Sequence, residues 1–169
     1  GNKLGSEFAV NTTTADAQAI SSYTQNSVIA LADGGFAVTW HSQNQDVVDT
    51  SYGVVTRLFD NTGTATTDEI VVNTFTAGEQ AHASITQLAD GDLVYAWQSG
   101  DQDENVNGGL VEYGVYGQRM STEGVLIEDE FLINTSLPGS QWQPQLLALA
   151  DGGYASFWAS DSALNSNHE

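Results

Sequence analysis

Cysteine is absent from this 169-residue chain, which excludes disulfides, thiolate nucleophiles and zinc–thiolate centres. Basic side chains are scarce as well: 3 Lys and Arg stand against 22 Asp and Glu, a formal net charge of −19 at neutral pH. A surface of that sign repels phosphate backbones and anionic bilayers, so no nucleic-acid partner is expected. No apolar run approaches the roughly 20 residues of a membrane-spanning helix, and no membrane insertion is expected. Proline occurs only at Pro138 and Pro144, and neither falls in the middle of a predicted strand. The metal-binding His-Glu-x-x-His helix, the Gly-x-Ser-x-Gly elbow and the phosphate-binding glycine loop are all missing. His41, His82 and His168 read as lying in three separate contexts, a strand end, a strand start and the terminus. What is present is 40 % apolar residues, enough for a core.

Those residues are arranged as three copies of one unit. Glu7-Phe8-Ala9-Val10-Asn11-Thr12 recurs as Glu69-Ile70-Val71-Val72-Asn73-Thr74 and as Glu130-Phe131-Leu132-Ile133-Asn134-Thr135. A glutamine follows each asparagine by seven residues, at Gln18, Gln80 and Gln141. Each copy continues to Leu-Ala-Asp-Gly, with aspartates Asp33, Asp90 and Asp151, and seven residues later to Trp40, Trp97 and Trp158. The first copy carries five extra residues between Gln18 and Leu31. Gly1, Gly63 and Gly124 share one phase, so the repeats run 1–62, 63–123 and 124–169, the third stopping before its last strand. The chain reads as a piece of a longer repetitive protein.

Each repeat predicts four short strands and no helix. Glu-Phe-x-Val-Asn-Thr alternates at period two. Val28 to Ala32 and Phe36 to Ser42 flank Asp33-Gly34, a hairpin signal. Gly53 to Phe59 supplies the fourth strand and ends in the turn sequence Asp60-Asn61-Thr62-Gly63. Phe36, Val38 and Trp40 share one face and Ala37 and Thr39 the other, so both faces are expected to be largely covered. All-β architecture follows, with β-propeller-like blades in an incomplete ring as the expected form. A β-sandwich or a β-solenoid is the alternative. The open ends of such a ring would be met by neighbouring repeats of a longer chain or by self-association.

The patterns at Gly5 to Thr12, Leu31 to Ser42 and Gly114 to Arg119 resemble tandem repeats of very large secreted bacterial proteins. These are the RTX-like, haemolysin-type calcium-binding and adhesin-like proteins. The resemblance implies a secreted or cell-surface location, calcium-rich surroundings and an adhesive or structural role. The glycine-rich nonapeptide that binds calcium in neighbouring regions of such proteins is absent here.

One loop has calcium-type spacing of its own. Asp101, Asp103, Asn105, Asn107 and Glu112 stand at positions one, three, five, seven and twelve of an EF-hand-like series, with Val106 where that series needs glycine. A solvated acidic loop is the simpler account. The hairpin aspartates are expected to serve turns, and Asn11, Asn73 and Asn134 to bond backbone where a strand ends, with the recurring glutamines as partners. Trp142 is the one tryptophan outside the pattern and the candidate contact for a ligand such as a glycan. Arg57 and Arg119 are out of phase and define no shared site. The expected function is a non-enzymatic repeat module, structural or ligand-binding. A glycan-binding module and a segment of a polysaccharide-acting enzyme are the alternatives.

Overall fold

The structure, a computed structural model, describes residues 5–20, 26–46, 51–102, 112–135 and 139–161. No helix and no closed barrel occurs among them; the chain is all-β, with eleven strands among the described residues. The first sheet holds β1 (Gln18–Ala19), β2 (Val28–Ala30), β3 (Phe36–Gln43), β4 (Tyr52–Phe59) and β5 (Ile70–Val71). The second is the four-stranded meander β6 (Gln80–Gln87), β7 (Leu93–Gly100), β8 (Tyr113–Met120) and β9 (Leu126–Leu132). The third is the pair β10 (Gln141–Ala148) and β11 (Tyr154–Ser160). Every pairing is antiparallel.

Local chemistry accounts for the strand boundaries. At each first hairpin the aspartate Oδ1 accepts the N–H two residues on: Gly35 to Asp33 at 2.9 Å, Asp92 to Asp90 and Gly153 to Asp151 at 3.1 Å. Gly34, Gly91 and Gly152 carry φ of 92°, 100° and 94°, a region that side-chain-bearing residues avoid. The hairpin aspartates therefore serve the turn, as expected. The innermost strand is longer than its apolar pattern suggests, because it reaches back to the recurring glutamine. A register shift follows Ala81 in β6 and Trp142 in β10, with His82 and Gln143 both at φ 56°. Pro144 falls inside β10 at that shift, where a missing N–H does not break the ladder. In the first copy, whose sequence carries five extra residues between Gln18 and Leu31, the strand is divided into β1 and β2.

In the first and second sheets the outermost strand comes from the motif that opens the next sequence repeat. β5, from the second copy of the motif, pairs with β4, and β9, from the third, pairs with β8. Sheets thus cross the repeat boundaries. At the strand end an asparagine side chain replaces a backbone acceptor: Asn73 Oδ1 takes the Val54 N–H and Asn134 Oδ1 the Val115 N–H, both at 2.7 Å and both buried. The first copy of the motif, residues 7–12, forms no strand, and among the described residues Asn11 bonds the Thr13 carbonyl.

Apolar faces join the sheets. Ala37, Val54, Leu58 and Val72 of the first region pack against Ile85, Leu93, Tyr95 and Trp97 of the second sheet. Val94, Ala96 and Val115 on its other face meet Leu146, Tyr154 and Trp158 of the third. β7 is buried along its whole length, which matches the expectation of covered faces. The inner strands also meet one another. The Asn26 carbonyl accepts from Ile85 N–H at 2.9 Å, and Asn26 Nδ2 donates to the Leu146 carbonyl at 2.7 Å. Sheets laid flat at the usual spacing of roughly 10 Å would hold the first and third about 20 Å apart. Their inner edges instead come together at Asn26, and the tips at Leu31, Leu88 and Leu149 line a common cleft.

Asn73→Ala leaves the buried Val54 N–H without its acceptor and is expected to cost about 1–3 kcal/mol. Asn11→Ala, which strands no buried donor, should cost a few tenths at most. Urea unfolding of the two variants side by side checks the contrast, and equal losses would refute it.

Candidate functional site

The recurring glutamate is the busiest polar group in the fold. Glu69, just before β5, accepts from the Thr12 N–H, from the Thr13 N–H at 3.0 Å, from the Thr13 hydroxyl at 2.6 Å and from Gln45 Nε2 at 2.8 Å. Glu130 in β9 repeats the arrangement one repeat later. It accepts from the Thr74 N–H at 2.7 Å, the Thr74 hydroxyl at 3.0 Å, the Phe75 N–H at 3.3 Å and Gln102 Nε2 at 2.7 Å. In both, the outermost strand of a sheet grips the segment that leads into the same sheet. Burial raises the Glu69 carboxyl, but the bonds from Thr13, Thr12 and Gln45 outweigh it and hold it down to about 2. Sequence reasoning takes this residue as one more strand position; the glutamine five residues after each of Trp40 and Trp97 is the signal that could have found the clamp.

The recurring glutamines and tryptophans are consumed likewise. Trp40 Nε1 donates to Gln18 Oε1 at 3.1 Å and Trp97 Nε1 to Gln80 Oε1 at 3.2 Å. Gln141 instead accepts from Asn134 Nδ2 at 3.0 Å, the one case where asparagine and glutamine partner as expected. Trp40 and Trp97 are buried and Trp158 half-buried. Arg57 donates to the Thr67 and Val10 carbonyls, whereas Arg119 pairs with Asp90 and Asp92 at 2.6 and 2.7 Å. The two arginines do different work and form no shared site.

His41 and His82, expected in separate contexts, meet between the first two sheets. Their ring centroids are 5.7 Å apart, and His41 also stands edge-on to Tyr52 at 5.0 Å. The turn of backbone at His82 aims its ring back at β3, a contact that residues 41 positions apart in sequence do not announce. Burial, then the neighbouring His82, lowers His41 to about 4. His82 is lowered by burial too, with Glu79 opposing. The same place between the second and third sheets holds two amides, where Gln143 N–H donates to Gln98 Oε1 at 3.4 Å.

Of the calcium-type series, Asp103, Asn105 and Asn107 lie outside the described residues. Its two ends are held together, the Asp101 N–H donating to the Glu112 carbonyl at 3.3 Å. Among the described residues no group of three or more His, Cys, Asp or Glu side chains is placed to hold a metal ion. Trp142 is half-buried on β10 opposite Ala159, whereas Ala81 at the equivalent place is buried. His168 lies outside the described residues.

Two pH-dependent losses follow. A histidine held near 4 keeps its full contribution above about pH 6.5 and loses it as pH falls toward 4, because the unfolded chain takes up the proton first. His41→Gln, which copies Gln98, should flatten the fall in urea midpoint between pH 7 and 4; an unchanged slope would count against the pair. Glu69 contributes fully above its ordinary value near 4.5 and loses its share as pH falls toward 2. Glu69→Gln should cost about 1 kcal/mol at pH 7, at the low end because solvent screens the carboxylate. The same variant should lose less on acidification to pH 2, read by tryptophan fluorescence.

No family model, no curated protein and no solved structure matches the chain, so what it does is read from its own geometry.

Proposed function

We propose that the chain is a non-enzymatic repeat module, a fan of β-propeller-like blades whose work is structural and presentational. The observation that carries this reading is the use made of the repeated polar groups. Glu69 and Glu130 clamp strands, Asp33, Asp90 and Asp151 close turns, and Asn73 and Asn134 finish ladders. None of these groups is left to face a substrate. The convergence of three inner edges at Asn26 supports blades radiating from an axis over a layered sandwich or a linear solenoid. Secretion or a bacterial-surface location, calcium at the Asp101 to Glu112 loop, and an adhesive setting belong to the same proposal and rest on motif resemblance and spacing.

A glycan-binding role is the second reading, favoured by Trp142. Its ring stays half-exposed in a position outside the repeat pattern, the disposition of an aromatic that stacks on a sugar. Polysaccharide hydrolysis and glycan-array binding, each run with calcium and with chelator, test both readings. The module reading expects no turnover, and calcium should raise the melting temperature. Turnover abolished by one carboxylate substitution would overturn it. Array binding lost in Trp142→Ala, at unchanged melting temperature, would establish the glycan role instead.

A further inference from the structure

The two sheet-to-sheet contacts inside the chain use the same pair of positions. Tyr95 of the second sheet sets its hydroxyl 3.0 Å from Thr56 of the first, beside Thr39, the register partner of Thr56. On the third sheet Ser156 pairs across the strands with Leu146, which is packed in one cluster with Ala96 of the second. Counted from the recurring tryptophans, Val38, Tyr95 and Ser156 are one position, and Thr39, Ala96 and Phe157 are another. The first position of a sheet thus faces the second position of the sheet before it.

On the two outward faces the same positions have, among the described residues, no sheet beside them. On the third sheet Phe157 is 60 % exposed, where Thr39 and Ala96 are 1 % and 0 %. On the first sheet Val38 stands in the position of Tyr95, and beside it opens a cavity of about 190 Å³ walled by Val10, Gln18, Ile20 and Trp40. Ile20 is exposed at this cavity, and so is Val28, the cross-strand neighbour of Val38. Ile85 and Leu146, which repeat the position of Val28, are covered by the sheet before them. One end of the chain therefore carries a large apolar knob and the other a hole of matching kind.

We propose that Phe157 of one molecule enters the cavity beside Trp40 of a second copy, so that copies of this chain associate head to tail. The inference deepens the module reading and takes its geometry from it. The interface brings together, between molecules, the same two positions that face each other between sheets within one, with the large side chain on the opposite partner from Tyr95. Because knob and hole lie on different surfaces, each added copy leaves one of each unused, and growth continues to a ring or a filament. With −19 charges per chain the contact is apolar against electrostatic repulsion, so it strengthens with salt.

Light scattering and sedimentation of the full chain over a concentration series test this. The wild type should show mass above monomer that rises with concentration and between roughly 0.05 and 0.5 M salt. Phe157→Asp and Ile20→Asp, both at exposed positions, should each weaken association by about tenfold to a hundredfold with an unchanged melting temperature. Mixed together, the two variants should form a 1:1 dimer and stop, since one keeps the hole and the other the knob. A wild type that stays monomeric throughout overturns the proposal. So does loss of association in Phe157→Asp alone with Ile20→Asp unaffected, the mark of a symmetric contact. Polysaccharide turnover would sink the module reading while leaving these masses unchanged, so the two failures are told apart.

Discussion

Four donors converge on each of two carboxylates, Glu69 and Glu130, and those carboxylates tie the last strand of a sheet to the segment that begins it. An outermost strand of two residues, such as β5, has few ladder bonds of its own. It keeps its place because Glu69 anchors one side and Asn73 the other, with Val72 buried between sheets. The Glu69 carboxylate stays ionised well below neutral pH because its donors outweigh the cost of partial burial. Remove the charge, and the strand, the incoming segment and the glutamine after β3 all lose a common partner.

Much of the fold was legible in the sequence because its signals are local. The Asp-Gly turns, the alternation around Trp40 and Trp97 and the tolerance of small residues on the opposite face all act within a few positions. The asparagine and tryptophan roles were legible for the same reason. What escaped was long-range. The meeting of His41 with His82 depends on a bulge in one sheet facing a strand of another. The clamp depends on two segments more than fifty residues apart. The division into sheets was also hidden, since sequence similarity marks where a motif recurs and says nothing of which neighbour it pairs with.

The polar inventory bears on function through what it leaves over. In many binding domains the repeated residues build the frame and singular ones build the site. Here Trp142, the His41–His82 pair and Phe157 break the pattern, and each sits at a seam or an outward face. The frame spends its carboxylates on hydrogen bonds within the backbone. A strongly acidic composition thus coexists with turns and clamps that need their negative groups where they are.

Sheets that cross repeat boundaries also set the order in which the chain can mature as it is synthesised. When the third strand of a sheet has emerged, its outer edge has no partner until the opening motif of the following repeat appears. β4 waits for β5, and β8 waits for β9, as an exposed edge able to pair with another chain. A nascent chain that has emerged only as far as Phe59 or Met120 is in its stickiest state. One that has emerged as far as Asn73 or Asn134 carries a finished sheet.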